Sequence, residues 1–329
     1  RFTDTTRHLT NSGIPTQGIA FYHQSTLDLL QGLSCSVGLR YDYEHARCDF
    51  SKVQQPLNGN GETKSLEQFN RSLHFGQFTP RFSMQYLSSH NQLFYASVSK
   101  GYKAGGFNVS FLNNDDYLYS PEYNWNYEIG TKLSFLNNRL SADLSLFYID
   151  WRNQQITNTI PTVGNVIRNA GRSRNKGIEA SFQARPTKSW VMYMNYGYTD
   201  ARFVHYQKEE CGILKDYGGN YLPMVPRHTF SLTTGYSFYD ICSWIDRLTL
   251  NAGVSVTGPI YWYEDNQAKQ SPYALVNLRI SINKGCFTWE AWSKNLTNTD
   301  YLSYYFVTSK AYAQKGKPIT LGTSVSISL

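Results

Sequence analysis

The sequence predicts an all-β chain, folded as an antiparallel, up-and-down transmembrane β-barrel. Three observations carry this expectation. The composition favours strands, the strands alternate an apolar with a wet face, and the connections alternate short with long.

Aromatic residues make up 16% of the 329, with 26 Tyr against 4 Met. That bias, with abundant Thr, Ser and Asn, suits pleated surfaces better than helices. The length allows two ordinary soluble domains or one large all-β structure. Mean hydropathy is -0.46, and no run approaches the roughly 18 apolar residues of a spanning helix. A helical membrane protein is excluded. A barrel is not, because strands that alternate lipid-facing with lumen-facing residues average to a soluble-looking hydropathy.

The alternation is explicit. Phe230, Leu232, Thr234, Tyr236 and Phe238 share one face, opposed by Ser231, Thr233, Gly235 and Ser237. Leu248 to Val256, Ala274 to Ile282 and the final stretch to Leu329 repeat it. A Ser, Thr, Asn and Gly face is a poor soluble core and suits a lumen. Thirteen such segments are read, near 18–28, 33–46, 76–87, 92–104, 122–136, 139–152, 173–186, 189–203, 226–239, 246–261, 270–283, 286–296 and 318–329. Most exceed the roughly 9 to 11 residues a tilted strand needs to cross a bilayer.

Short connections at 88–91, 137–138, 186–188 and 284–285 are rich in turn formers. Long ones run over 47–75, 105–121, 153–172, 204–225 and 297–317. Short turns on one side and long loops on the other define an outer-membrane barrel, with the long loops outside the cell. Tyr41, Tyr43, Tyr148, Trp151, Trp190, Tyr261 to Tyr263 and Trp289 are expected as interfacial girdles. The stretch Arg1 to Gly13 is polar and does not read as a signal peptide, so the expectation is that the numbering starts after processing or that the start is missing. Bacterial barrels have even strand numbers, so the thirteen are expected to be the C-terminal part of a larger one.

Cys35, Cys48, Cys211, Cys242 and Cys286 lack CxxC spacing, which indicates neither a zinc site nor a disulfide framework. Cys48 with Cys211 is the one loop pair offered for oxidation outside the cytoplasm. The net charge is +7, spread without a dense basic run, so no nucleic-acid partner is expected. Anionic lipopolysaccharide or an anionic ligand fits that charge better. HExxH, GxxxxGK[ST] and GxSxG are missing and the seven His are scattered. No enzyme, metal or cofactor is expected.

Ser99 to Asn108 reads SKGYKAGGFN, Pro121 to Gly130 PEYNWNYEIG and Leu144 to Ile156 LSLFYIDWRNQQI. NAGRSRNKGIE follows at Asn169 to Glu179, PRHT at Pro226 to Thr229 and NLTNTDY at Asn295 to Tyr301. In this order they resemble the C-terminal barrel of TonB-dependent outer-membrane receptors, above all the siderophore-receptor branch. The resemblance implies a twenty-two-stranded barrel whose plug, TonB-engaging segment and first strands are absent here. Leu329 departs from the family's terminal aromatic residue.

It also implies a receptor in the outer membrane of a Gram-negative bacterium, importing a scarce, bulky ligand such as a ferric siderophore with the help of the TonB complex. Membrane lipid and lipopolysaccharide would surround it. Import of cobalamin, haem or a glycan, and a passive porin-like barrel, stay open. The candidate ligand residues are loop aromatics and cations: Tyr117, Tyr119, Tyr123 and Trp125; Arg168, Arg172 and Arg174; and Tyr261, Trp262 and Tyr263. Aromatic faces stack on catecholates, and Arg pairs with anionic chelates. Gly101, Gly105 and Gly106 are read as bends where a strand meets an outer loop, and Glu128 and Glu179 as inward charges.

Overall fold

The computed structural model describes residues 6–57, 62–111, 113–160, 163–169, 171–210, 213–307 and 310–328. β1 (Thr6–Gly13) and β2 (Thr16–Leu30) both pair with β3 (Leu33–Pro56), in one unbroken register from Thr6 opposite Pro56 to Asp28 opposite Ser34. They are one row interrupted at Ile14 and Pro15. Among the described residues it begins at Thr6 rather than at 18, so Thr6–Gly13 of the polar N-terminal stretch is strand. β4 (Lys64–Leu87) and β5 (Leu93–Lys103) follow, and then the short pair β6 (Gly106–Phe107) and β7 (Leu118–Tyr119) around a 3-10 turn at Asn114–Tyr117.

The wall continues through β8 (Glu122–Phe135) and β9 (Leu140–Arg152), the hairpin β10 (Gln155–Ile160) and β11 (Gly164–Asn169), then β12 (Arg172–Ala184) and β13 (Trp190–His205). The hairpin β14 (Gln207–Glu210) and β15 (Ile213–Asp216) precedes β16 (His228–Cys242) and β17 (Ile245–Thr257). The pair β18 (Ile260–Tyr261) and β19 (Lys269–Gln270) precedes β20 (Tyr273–Lys284) and β21 (Phe287–Lys294). Finally β22 (Leu302–Val307) and β23 (Ala311–Lys315) form the last hairpin before β24 (Thr320–Ile327).

The wall is one fourteen-stranded antiparallel sheet in the order β1-β3-β4-β5-β8-β9-β12-β13-β16-β17-β20-β21-β24, with β2 beside β3. With β1 and β2 sharing a row, this makes the thirteen expected rows. Every second connection is short: Gln31 and Gly32, Leu136 to Arg139, and Gly285 with Cys286 are examples. Left-handed backbone closes them, at Gly32, Asn137, Asn138 and Gly285, where Gly and Asn carry the least steric penalty. The stretches expected as long loops are largely hairpins, and 47–75 is mostly strand, because β3 and β4 run on beyond the membrane.

Within the lipid-facing band, cross-strand registers put the aliphatic residues of neighbouring rows on one face. Leu144 opposes Ala180 and Thr131, Leu146 opposes Ile178 and Ile129, and Leu232 opposes Val254 and Met194. Ile129 is 59% exposed and Leu321 71%. So broad an apolar face bare to the surroundings fits lipid as its solvent. Aromatic side chains bound it: Tyr43, Tyr127 and Tyr148 toward the long loops, and Tyr86, Phe135, Trp190 and Trp289 toward the short turns. Trp151 differs from its girdle assignment, since alternation turns it inward opposite buried Ser173.

The opposite face is polar. Arg40 donates to Asp42 at 2.6 Å, Tyr95 donates to Glu128 at 2.6 Å, and Ser181 donates to Asn195 at 2.8 Å. Among the described residues no helix is long and apolar enough to cross a membrane.

Candidate functional site

Toward the long loops the alternation changes phase. On β3 the outward series Val37, Leu39, Tyr41, Tyr43 gives way to buried Ala46, Cys48 and Phe50 on the inward face. On β13 the outward Met192, Met194, Tyr196 and Tyr198 give way to inward Ala201 and Phe203. The physical reason is a change of solvent. Above the lipid the outer side meets water and headgroups, while the loops fold inward over the strand ends and need apolar seats.

Two loop cores result. In the first, Ala46, Cys48, Phe50 and Phe107 pack with Phe69, Leu73 and Phe111. Tyr117 belongs to it: its ring lies edge-on to Phe111 at 4.2 Å and stacks on Phe69 at 4.9 Å, beneath the Arg71 guanidinium at 5.5 Å. In the second, Ala201, Phe203, Tyr206, Tyr217 and Leu222 pack with Ile156 and Val225. Cys48 is a buried free thiol, and Cys211 lies outside the described residues, as does Leu329.

Four loops meet beside the second core around a cavity of about 610 Å³. Its aromatic wall is Trp262 and Tyr263 from one loop and Tyr304, Tyr305 and Phe306 from another. Trp262 stands edge-on to Tyr304 at 6.3 Å, and Tyr263 edge-on to Tyr305 at 6.3 Å. The Tyr263 hydroxyl accepts the Val307 N–H at 2.5 Å, which ties the two loops together. Burial is the main cause that pushes this phenol above its ordinary pKa. The polar edge is Lys208, whose Nζ lies 3.6 Å from Glu264 Oε1. The Glu264 carbonyl in turn accepts Asn220 Nδ2 at 2.8 Å.

The residues singled out by sequence divide among several places. Trp262 and Tyr263 line the cavity, and Tyr261 is adjacent, stacked on Tyr221 at 5.5 Å. Tyr117 is a core residue, 5% exposed. Tyr119 pairs with Gly106 in the β6–β7 ribbon; burial, then the charge of Glu44, pushes its phenol up. A Cβ at Gly105 or Gly106 would strike Tyr119, so close approach is what requires these glycines.

Tyr123 and Trp125 face outward beside Lys100, whose Nζ lies 5.4 Å from the Tyr123 ring. Arg168 is bound to Asp116 at 2.7 Å. Arg172 and Arg174 stand on the outward face of β12. Sequence reasoning missed Tyr304, Tyr305, Phe306, Lys208 and Glu264. The run YLSYYFV at Tyr301 to Val307 was a usable signal for the aromatics. A single Lys and a single Glu in separate loops gave none.

The family model for the TonB dependent receptor-like β-barrel matches residues 2–298. The pesticin receptor of Yersinia pestis is 24% identical over 97% of the chain and 45% of its own length. The crystal structure of the ferric yersiniabactin uptake receptor FyuA from Yersinia pestis superposes with a TM-score of 0.81 at 21% identity, over 97% of this chain and 47% of that one. That of the siderophore receptor PiuA from Acinetobacter baumannii superposes at 0.75 and 20% identity, over 95% and 42%. The chain thus spans less than half the length of these relatives.

Proposed function

The chain belongs to the TonB dependent receptor-like β-barrel family, whose members are outer-membrane receptors of Gram-negative bacteria and not enzymes, and from that premise we propose that it is the C-terminal barrel wall of an importer for a ferric siderophore, energised by the TonB complex. The relatives named for siderophores or their uptake support the ligand class. The open edges at β24 and at the β1–β2 row support a larger barrel, since unpaired strand edges are costly in lipid.

The observation that carries the ligand reading is the loop cavity. Its volume falls within the roughly 300 to 1,000 Å³ of small-molecule sites. Five aromatic side chains offer faces and edges to a planar catecholate or phenolate chelate, and the Lys208–Glu264 pair places polar groups at the rim. Of the sequence-predicted set, Trp262 and Tyr263 line this cavity, with Tyr261 adjacent to it, which supports a part for them in ligand contact.

The test is uptake of radiolabelled iron from catecholate and hydroxamate chelates by iron-starved cells whose only siderophore receptor is the full-length protein. The paired substitution Trp262→Ala with Tyr305→Ala should lower uptake about tenfold while leaving barrel assembly intact. Equal uptake from every chelate with and without the receptor gene would overturn the importer reading.

A further inference from the structure

β3 and β4 rise past the outer aromatic boundary as a paired ribbon. On their outward face, two-residue steps lead through Tyr41 and Tyr43 to His45 on β3, and from Phe82 through Phe78 to His74 on β4. The register sets His45 directly opposite His74. Their rings lie parallel to within 10°, with centroids 4.5 Å apart. His74 is exposed and His45 half-buried, so water reaches the pair.

No salt bridge accounts for this pairing. Gln17 stands opposite His45 on β2, and Ser72 and Gly76 flank His74 along β4. The next charged side chains along this face of β3, Arg47 and Asp49, bind each other at 3.1 Å, and Asp49 also accepts Asn70. Two cations set directly across a strand pair would repel, so the stack is that of neutral rings, each with a nitrogen lone pair to offer.

His74 Nδ1 lies 2.9 Å from the Tyr43 hydroxyl. With Nδ1–H as the donor, the phenol oxygen accepts and Nε2 keeps its lone pair, which is how a second group orients a metal-binding imidazole. His45 makes no ring hydrogen bond among the described residues. Rotation about its Cβ–Cγ bond, a broad torsion, turns one of its nitrogens toward the same point. The backbone beneath is fixed, because Ala46, Cys48 and Phe50 of β3 pack with Phe69 and Leu73 of β4 in the first loop core. Two imidazoles on a fixed register make a chelate.

Imidazole nitrogen suits copper, nickel and zinc, whereas magnesium and calcium take oxygen. Among the described residues no three His, Cys, Asp or Glu side chains converge, so the protein supplies two ligands and water completes the shell. We propose that His45 and His74 form a divalent transition-metal site on the outer surface that clips β3 to β4, with Tyr43 positioning His74. The site faces away from the lumen and the loop cores, and it is independent of the import reading.

The experiment uses the full-length receptor, extracted in mild detergent, stripped of metal by a chelator and checked for folding by its heat-modifiable gel migration. Titrations with Cu²⁺, Ni²⁺, Zn²⁺ and Mg²⁺ should show Cu²⁺ bound most tightly and Mg²⁺ not at all. Electron paramagnetic resonance of the receptor with one equivalent of Cu²⁺ should show two imidazole nitrogens on the ion. The double variant His45→Asn with His74→Asn should lose that signal. Tyr43→Phe should keep both nitrogens and bind Cu²⁺ about tenfold more weakly.

Undiminished Cu²⁺ affinity in the double variant would overturn the proposal. So would fewer than two nitrogens in the spectrum of the unaltered receptor, a result that needs no variant to fold. Mg²⁺ bound as tightly as Cu²⁺ would reduce the site to a general cation surface and overturn it too, and unaltered affinity in Tyr43→Phe would overturn the part given to Tyr43. No ferric ligand enters the measurement, so a failed import reading leaves its result standing.

Discussion

Arg168 grips Asp116 with two parallel hydrogen bonds, Nε to Oδ1 at 2.7 Å and Nη2 to Oδ2 at 2.8 Å. The pair joins the β10–β11 hairpin to the 3-10 turn of the preceding loop. Asp116 is 7% exposed, so loss of this partner falls on a carboxylate with little access to water. Removing one member of a buried pair costs up to about 3 to 5 kcal/mol. Arg168→Ala should therefore loosen both hairpins, and Arg168→Lys should recover only part, since an ammonium lacks the planar fork. Limited proteolysis of intact cells would show it as faster cleavage in 105–121 and 153–172, with the barrel wall unaffected. Equal cleavage of Arg168→Ala and the unaltered protein would count against the tie.

Leu232 and Thr233 are chain neighbours on opposite faces of β16. Leu232 lies between Met194 and Val254 in the apolar band, whereas Thr233 opposes Tyr193 and Gly253 on the polar side. An Arg near the bilayer midplane on the lipid face costs about 2 to 4 kcal/mol, while lumen positions tolerate polarity. Leu232→Arg should lower the denaturant midpoint of the extracted protein accordingly, and Thr233→Arg should leave it nearly unchanged. A reversed order would mean that the two faces have been exchanged.

The wall was legible in the sequence because one solvent acts on each face over the whole span, so Leu144, Leu146 and Tyr148 keep a strict period of two. The reading stopped at residue 46 of β3 because the environment changes there. Ala46, Cys48 and Phe50 shift the apolar series to the inward face, which breaks the alternation without ending the strand. The same change hid the placement of Arg172 and Arg174. As loop cations they suggested ligand capture, yet they sit on strand positions whose face only register reveals. Trp262 and Tyr263 were visible as an aromatic run, but their partners Tyr304, Tyr305 and Lys208 come from other loops, and no local pattern brings those together.

Cys242 and Cys286 are exposed free thiols at the short-turn end, whereas Cys48 is buried within the loop core. If the short turns face the periplasm, a maleimide attached to a large polymer should label neither exposed thiol in intact cells and both after the outer membrane is permeabilised. Cys48 should react only after unfolding. Labelling of Cys242 in intact cells would invert the orientation and, with it, the extracellular placement of the cavity.

Asp150 makes the outer boundary sensitive to acid. Burial alone would raise its carboxyl, but hydrogen bonds and charge from Arg172 and then Arg152 outweigh that and leave it below its ordinary value. A carboxylate depressed in the folded state lends stability that is fully present above the unfolded value, near 3.9. That stability is lost as pH falls through the lower folded value. From neutral pH to about 4 the contribution should be flat. Below that it should fade, leaving Arg152 and Arg172 to repel across the strands. Asp150→Asn lacks the titrating group and begins with the two cations unpaired, so it should be less stable at pH 7 and should lose less on acidification. Melting temperatures of the extracted receptor between pH 7 and pH 2 give the comparison, in which other carboxylates cancel between the two proteins. Parallel curves would show that the clasp contributes no acid sensitivity, and that Asp150 serves only to position the arginines.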